Sequence, residues 1–413
     1  MKSTKVIPEL VSPAGDWPSL RTAVDNGADS VYFGLNNFNM RQMAPNFDAL
    51  EIPKVMDFLR SQKKKGYLAL NVIVKDDELN KIARVLKTAK RSGVDAVILW
   101  DMAVLSLARQ EGLAVHLSTQ ASVANSRALA HYAALGVTHV VLARECTLQE
   151  IQKIAAFIKK EKVNCTIETF VHGAMCLSIS GRCFLSYDSF GQSANRGACL
   201  QPCRREYLIR EIDGDTEYII GQDYVLSPKD LCAIDFIDEL VGAGIRAFKI
   251  EGRMRPPEYI AATTRVYREA LDACMSGTMS EAKKKQWKAR LSQVYNRGFS
   301  EGFYFGSPQN AVSRRREHTQ EKIFLGEVRK FYKKISVAEI MIQKGPLKYG
   351  DTLLFIGKSF PLRQIDVKEI ERNHEPVREA RKGEMVGIKV PFAVKAKEKV
   401  FLCCQKTAGA ERE

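Results

Sequence analysis

The sequence predicts an α/β protein: a TIM-like (β/α)8 barrel with a cysteine-rich insertion, followed by a small antiparallel β-barrel. Three observations lead to this prediction. Short apolar runs alternate with helical patterns through residues 9–251, four cysteines cluster in one long loop, and closely spaced strands fill residues 322–413. Alternating strands and helices are typical of parallel strands joined by right-handed crossovers.

Eight apolar runs supply the barrel strands. An eightfold repeat matches the barrel, which typically needs about 250 residues. A doubly wound open sheet is the alternative, but no glycine-rich phosphate loop follows the first run. We therefore predict one barrel domain over residues 1–308. The predicted strands are Glu9–Ser12, Ser30–Gly34, Tyr67–Val74, Ala96–Asp101, Ala114–Gln120, His139–Arg144, Thr166–His172 and Ala247–Glu251, and helical spacing is clearest in Leu50–Lys64, Leu79–Ser92, Leu148–Lys160 and Leu231–Ala243.

The connection after the seventh predicted strand, residues 173–228, contains all four clustered cysteines. Loops of this length inside a compact domain are usually functional. Because the catalytic face of a TIM barrel lies at the carboxyl ends of its strands, we expect this loop to cover the active site.

The remaining chain changes its pattern after two helices, Glu258–Cys274 and Ser280–Val294. Residues 309–321, which include Arg314, Arg315 and Arg316, form a basic linker. Short strands separated by Gly, Pro and Asn then predict an antiparallel barrel over residues 322–413. These strands are Ile323–Phe331, Ser336–Ile342, Asp351–Phe355, Leu362–Ile370, Glu384–Val390 and Lys399–Cys403.

Composition and charge limit the partners and the compartment. The 413 residues are 45% hydrophobic and 27% charged, and no apolar run reaches the roughly 20 residues that span a bilayer. The first residues lack the apolar stretch of a secretory signal, so we expect a cytoplasmic protein without a membrane partner. Lys and Arg exceed Asp and Glu by 63 − 48 = 15, which favours RNA or DNA as a partner. The alternative is a basic surface without a polyanionic partner.

Four of the ten cysteines, Cys176, Cys183, Cys199 and Cys203, follow the spacing C-x6-C-x15-C-x3-C. Four thiolates suit either tetrahedral zinc or a 4Fe–4S cluster, because both accept soft sulfur ligands. Structural zinc usually uses closer pairs, so the six-residue gap favours the cluster, although the residues alone leave both open. Most of the scattered cysteines are expected to be small core residues.

Polar side chains at the predicted strand ends are the candidate catalytic residues. A histidine there is suited to proton transfer near neutral pH, and cations suit an anionic substrate. Gln120, Asn125 and Arg182 are candidate substrate-binding residues. The alternatives are helix capping for Gln120 and Asn125, structural ion pairs for the charged residues and a structural role for the histidine. The catalytic candidates are His172, Arg144, Glu145, Lys249, Glu251 and Arg253.

The run ETFVHGAMCLSISGRCFLS, residues 168–186, resembles the signature of the collagenase-like peptidase family U32. Further motifs agree in order from Glu9 to Gly306, and the tail resembles the translation-factor-like β-barrel of the same family. They are ELVSPAG, GADSVYFGL, STQASVAN, LARE, SPKDLC, KIEGRMRPPEYI and YNRGFSEGFYFG.

This resemblance implies an oxygen-independent hydroxylase rather than a protease. Characterised branches of the family carry a 4Fe–4S cluster on four cysteines and take the hydroxyl group from prephenate. One branch forms 5-hydroxyuridine in tRNA, another modifies a cytidine of 23S rRNA, and a third hydroxylates a quinone precursor. The resemblance implies a cluster on Cys176, Cys183, Cys199 and Cys203, with Cys232 as a less favoured ligand, and a protein partner of the same family is possible.

The basic charge and the added β-barrel make tRNA the first choice of substrate. A peptidase is the alternative that the family name suggests, but the sequence has neither an HExxH helix nor a G-x-S-x-G elbow. A non-catalytic module that binds RNA and uses its metal structurally is a further alternative.

Overall fold

The N-terminal part of the chain is a closed barrel of eight parallel strands, as predicted. The computed structural model describes residues 8–214, 217–220, 228–306, 319–358 and 360–405. The strands follow one another in chain order around the barrel, and the eighth closes it by pairing with both the first and the seventh. They are β1 (Glu9–Ala14), β2 (Ser30–Gly34), β3 (Lys65–Ala69), β4 (Ala96–Leu99), β5 (Val115–Leu117), β6 (His139–Val141), β7 (Thr166–Gly173) and β8 (Ala247–Ile250).

Helices cover the outside of the barrel and pack their apolar faces onto the strands to form one large core. Local signals start several of them: the Asp16 side chain accepts from the backbone of Ser19, and Thr147 and Glu150 form a reciprocal capping box. These helices are α1 (Trp17–Asp25), α2 (Ile52–Ser61), α3 (Asp76–Arg91), α4 (Met102–Gln110), α5 (Ser126–Ala134), α6 (Leu148–Glu161), α8 (Ile237–Gly242), α9 (Pro257–Ser276) and α10 (Glu281–Gln293), whereas the short α7 (Leu185–Phe190) lies in the cysteine loop.

The helix predicted over Leu231–Ala243 is wrong in its first half. Residues Asp230–Cys232 form a short strand instead, antiparallel to the end of β7 and paired on its other edge with Phe299–Ser300. Free backbone groups at the end of β7 offer Leu231 and Cys232 hydrogen bonds that an isolated helical turn would lack. The helix α8 begins only at Ile237.

The C-terminal module is a curled antiparallel sheet of eight strands around its own apolar core, which agrees with the predicted fold. The single predicted strand Leu362–Ile370 is two strands, and a short hairpin follows. The order in the sheet is β12-β11-β16-β9-β10-β15-β13-β14. The strands are β9 (Gln320–Tyr332), β10 (Val337–Ile342), β11 (Thr352–Ile356), β12 (Arg363–Asp366), β13 (Ile370–Arg372), β14 (Glu375–Val377), β15 (Met385–Lys389) and β16 (Lys399–Gln405).

Polar contacts join the two modules. Lys322 Nζ lies 2.7 Å from Glu258 Oε1 of α9, and the Leu362 amide donates to Thr22 Oγ1 at 2.8 Å. The predicted arginine linker, Arg314–Arg316, lies outside the described residues. Within the part of the chain that the structure describes, no helix is both long and apolar enough to cross a bilayer.

Candidate active site

A cavity of about 420 Å³ opens at the carboxyl ends of the barrel strands. Strand residues such as Tyr32 of β2 and Phe170 of β7 form its walls, and the cysteine loop covers it with Cys176, Cys199 and Cys203. The loop after β7 therefore lies over the face at which TIM barrels place their chemistry.

The lining of this cavity is strongly cationic. It contains seven Lys or Arg side chains and a single acidic one, Glu251. Positive charges concentrated in a cleft with apolar walls attract anions. The seven cationic residues are Arg41, Arg144, Arg204, Lys249, Arg253, Arg255 and Arg297.

Glu251 holds two of these arginines in place. Its Oε1 lies 3.1 Å from Arg41 Nη2 and its Oε2 lies 3.7 Å from Arg144 Nη2. Burial alone would raise the pKa of Glu251, but Arg41 and Arg144 outweigh it and keep the pKa below its usual value, so the carboxylate is charged. Arg144 also donates to the Ala174 carbonyl at 2.7 Å and stacks on Phe170, with 4.2 Å between Cζ and the ring centroid.

Arg253 is the most exceptional cation in the cavity. Only 4% of it is exposed, and its Nη1 makes no hydrogen bond to any described residue. Burial lowers the pKa of Arg253 to about 10, and its guanidinium remains charged at neutral pH. The Nε of Arg144 is a second buried donor without a partner among these residues. Buried donors are almost always satisfied. Two buried guanidinium nitrogens without an acceptor among the described residues, on arginines that line a strongly cationic cavity, therefore indicate an anion site.

A small amide network forms another part of the wall. Gln120 accepts from Asn71 Nδ2 at 2.7 Å and from Ser118 Oγ at 2.7 Å, and donates to the Asn71 carbonyl. These contacts occupy most of its amide, so Gln120 fixes the position of Asn71. Both residues line the cavity, as predicted for Gln120.

The four clustered thiols lie close together beside the cavity. The pKa of Cys203 is raised by burial and by the neighbouring Cys176, Cys199 and Cys183, although Arg204 opposes the shift. The Leu185 amide donates to Cys183 Sγ at 3.4 Å, the kind of hydrogen bond to sulfur that tunes iron–sulfur clusters. Four free, partly exposed thiols in one loop are a donor set that fits a 4Fe–4S cluster.

Salt bridges and hydrogen bonds hold the cysteine loop to the barrel. Arg196 forms a two-pronged contact with Glu78 of α3, at 2.7 Å and 2.5 Å, and donates to the Ile73 carbonyl. Arg182 donates to the Gln120 carbonyl at 2.8 Å, and Asn195 accepts from the Cys183 amide. The described part of the loop around the thiols is therefore held to the barrel by contacts that do not involve sulfur.

The pattern that defines peptidase family U32 matches residues 15–314. The chain belongs to peptidase family U32. The match covers the barrel from α1 onwards together with the cysteine loop, and it confirms the resemblance noted in the sequence.

Three relatives show how differently U32 proteins are named. An uncharacterized protease of Methanocaldococcus jannaschii is 43% identical over 408 residues, which cover 96% of this chain and 98% of the relative. A collagenase of Porphyromonas gingivalis is 36% identical and covers 95% of this chain and 97% of its own. A tRNA hydroxylation protein of Bacillus subtilis is 33% identical and covers 85% of this chain and 83% of its own. Family membership thus leaves both hydrolysis and hydroxylation open.

His172 of this U32 chain lies outside the cavity lining, contrary to the position expected for a catalytic base. Strand alternation would place residues 168, 170 and 172 on one face. The pairing of β7 with β8 shifts, because Lys249 faces Phe170 whereas Ile250 faces His172, so Val171 is an extra, bulged residue. His172 therefore turns outward, where burial lowers its pKa to about 3. It packs among Tyr259, Tyr267 and Phe299.

Three other candidates also lie outside the cavity lining. Glu145 is exposed, and Arg144 contacts Glu251 rather than Glu145, its neighbour in the chain. Asn125 caps α5 by accepting from the Ala128 amide, which is the alternative that its position allowed. Arg182 anchors the cysteine loop instead of facing the cavity.

The sequence did not single out Arg41, Arg204, Arg255 and Arg297. Arg255 and Arg297 lie within the motifs KIEGRMRPPEYI and YNRGFSEGFYFG, and both contact the buried Asp230, at 3.9 Å and 3.3 Å. These two motifs could therefore have indicated Arg255 and Arg297 as site residues from the sequence. Cys232 is buried in the short strand beside β7, near Tyr267, and burial raises its pKa to about 11.

Proposed function

We propose that this protein is an oxygen-independent RNA hydroxylase that carries a 4Fe–4S cluster and forms 5-hydroxyuridine in tRNA, with prephenate as hydroxyl donor. The observation that carries the proposal is one strongly cationic cavity in which two arginines, each with a buried nitrogen that lacks an acceptor among the described residues, lie beside three of the four clustered thiols. An anionic small molecule and a redox cofactor would thus meet at the catalytic face of the barrel.

Cys176, Cys183, Cys199 and Cys203 would hold the cluster. When bound, a 4Fe–4S cluster supplies one-electron chemistry. The protein's own residues bind and orient the reactants around it. The loop contacts of Arg196 and Arg182 keep the thiols over the cavity.

Prephenate carries two carboxylates, and the cavity offers cations for both. Arg253 and Arg144 have donors that no described residue accepts, while Arg41 is fixed beside them by Glu251. Charge-assisted bonds from arginine to carboxylate are short, strong and directional. Lys249 completes the set near the cavity floor and is held by Glu168 at 2.7 Å.

RNA as the second substrate is supported by charge and by a relative. The chain carries a net charge of +15, and a relative that matches over 85% of it is named a tRNA hydroxylation protein. A ring carbon of a stacked pyrimidine is out of reach, so an enzyme must extrude the base into a pocket. A cavity of about 420 Å³ is within the usual size range for small-ligand sites.

Collagenase activity is the second candidate, because a collagenase is 36% identical over almost the whole chain. A cysteine protease needs a histidine base within hydrogen-bond reach of its nucleophile. The residues that line the described cavity include three cysteines and no histidine. The arrangement therefore favours sulfur ligation over nucleophilic attack.

Mass spectrometry of nucleosides tests the proposal. Total tRNA and rRNA from cells that contain or lack the protein are digested and compared. We expect 5-hydroxyuridine in tRNA to disappear on deletion, to return with the wild type and the surface variant Arg84→Ala, and to stay absent with Lys249→Ala or Arg144→Ala. Loss of a hydroxycytidine from rRNA instead would make rRNA the substrate. Unchanged RNA together with collagen cleavage by purified protein would support the peptidase.

A further inference from the structure

A chain of hydrogen-bonded polar side chains crosses the barrel interior below the cavity. Lys249 Nζ lies 2.7 Å from Glu168 Oε1, and Glu168 Oε2 lies 3.1 Å from His139 Nε2. His139 Nδ1 then lies 2.7 Å from Thr166 Oγ1. Lys249 lines the cavity, whereas His139 and Thr166 begin strands β6 and β7. The chain therefore connects the catalytic face with the opposite end of the barrel.

Such a chain is costly in the interior of a TIM barrel, which is normally filled by branched apolar side chains. Glu168 is fully buried and Lys249 is 4% exposed. A buried ion pair often contributes little stability compared with apolar residues of the same size. At its outer end the chain approaches solvent, because Thr166 is only partly buried. Its course from cavity to surface suggests a function other than stability.

The neighbouring groups determine which side chains of this hydrogen-bonded chain carry a charge. Burial alone would raise the pKa of Glu168, but Lys249 and His139 outweigh it and hold that pKa well below its ordinary value. His116 stacks on His139, with 4.2 Å between ring centroids, and burial lowers its pKa well below the usual value. Tyr67 lies against His116 and donates to Glu9. The anion at the centre is thus Glu168, and His116 is neutral.

A metal ion is the competing explanation. His116, His139 and Glu168 are the one group among the described residues whose potential ligand atoms all lie within 4.8 Å of one another. However, the Lys249 ammonium already occupies one oxygen of Glu168, and both nitrogens of His139 have hydrogen-bond partners. An ammonium at 2.7 Å from a ligand carboxylate would repel a divalent cation. Proton transfer fits these contacts better.

We propose that Lys249 gives a proton to the molecule bound in the cavity, and that Glu168, His139 and Thr166 return one from the opposite end of the barrel. One N–H bond of Lys249 breaks and one bond from hydrogen to the substrate forms. The Glu168 carboxylate takes a proton from His139 Nε2 and passes it to the amine, while His139 gains one at Nδ1 from water through the Thr166 hydroxyl. The net change is one proton moved from solvent to substrate, and no electron is transferred.

This inference rests on the cavity being the catalytic site of the proposed function. Glu168, His139 and Thr166 are positioning residues, because they act through Lys249. Glu168 fixes the ammonium, and the other two connect it with solvent away from the substrate. The cavity can then be filled by substrate without cutting Lys249 off from water.

Kinetics of reconstituted protein test the relay. Thr166→Val removes the outer hydroxyl, and His139→Gln removes the ring, while both keep the Lys249–Glu168 pair. We expect kcat to fall about tenfold or more, with KM unchanged and a larger solvent deuterium isotope effect, since general acid–base catalysis contributes about 100-fold or more. The matched control is His131→Gln, which replaces an exposed histidine of α5. Wild-type kcat in both relay variants would overturn the relay.

A second measurement is independent of turnover. In protein labelled with ¹⁵N at its lysine side chains, the Lys249 signal is identified by its loss in Lys249→Met. We expect this signal to shift in Glu168→Gln, because the Lys249 Nζ loses the carboxylate that lies 2.7 Å from it. An unchanged signal in Glu168→Gln would refute the role of Glu168 in fixing Lys249. One bound zinc or iron per chain that is lost in His116→Gln would favour the metal site. If no substrate is hydroxylated at all, the proposed function fails while this measurement still decides the pairing.

Discussion

Replacing Gly34 by alanine should weaken binding of a dicarboxylate by displacing Arg253. A Cβ at Gly34 would lie 2.0 Å from Arg253 Nη1 and 2.9 Å from Asn39 Cγ. Gly34 ends β2 and has no left-handed backbone angle, so the substitution adds a steric clash without backbone strain. The guanidinium is the flexible end of its side chain and must move away.

The expected size of the effect follows from the bonds that Arg253 would lose. Hydrogen bonds to charged groups contribute about 1.5–3 kcal/mol, which corresponds to about a tenfold to 150-fold increase in Kd. Overpacking costs about 1–3 kcal/mol of folding stability, because the end of the Arg253 side chain and the buried Asn39 side chain must both shift. We therefore expect a protein that folds but binds prephenate poorly.

Isothermal titration calorimetry with prephenate measures the change, and thermal unfolding checks the fold. Gly242→Ala is the matched control, since a Cβ there meets no atom within 4 Å and Gly242 belongs to helix α8. We expect wild-type affinity for this control. Equal affinity of wild type and Gly34→Ala would refute the assignment of Arg253 to anion binding.

Further predictions concern the cluster and RNA. Anaerobically purified protein should contain about four irons per chain. The variant Cys176→Ser should lose most of this iron, whereas Cys274→Ser should keep it. Stoichiometric zinc in the anaerobic protein would contradict the cluster. Arg196→Met should speed proteolysis of the cysteine loop and loss of iron by about tenfold, because it removes a charged hydrogen-bonded pair. Arg196 holds the pKa of Glu78 at about 2, so this anchor is intact above about pH 4.5 and weakens as the pH falls towards 2; protease digestion at pH 5 and pH 3 should show the difference, and equal rates would count against the anchor. Binding of tRNA, followed by filter binding, should fall by about 1000-fold or more between 50 and 200 mM salt if about six phosphates are contacted; binding that ignores salt would point to a small uncharged substrate.

Much of the fold could be predicted because it depends on local patterns. Each barrel strand is an apolar run of a few residues, and the following helix carries its own capping and glycine signals, as at Thr147 and Glu150. The first half of the helix predicted after Leu231 failed for a different reason. Its spacing suited a helix, but the free edge of β7 supplies backbone partners that only the folded barrel creates.

Features of the candidate site that depend on residue type and spacing could be predicted from the sequence. Features that depend on the geometry of the folded barrel could not. Cysteine spacing identified the thiol loop, and strand ends identified Arg144, Lys249 and Arg253. The residue types of β7 do not predict the bulge at Val171, which turns the His172 side chain outward. Glu168 gave a signal that was not used, since a glutamate inside an apolar strand needs a buried partner.

All four clustered thiols lie within residues 176–203. Loading of a metal onto these thiols and folding of the barrel are therefore separate processes. None of these thiols lies in a barrel strand, and the barrel core is built from other residues. In small zinc domains, by contrast, the metal is needed for the chain to fold. On the proposed function, iron would reach a finished barrel through the exposed Cys176. A cluster destroyed by oxygen would then be rebuilt on the existing molecule, without new protein synthesis.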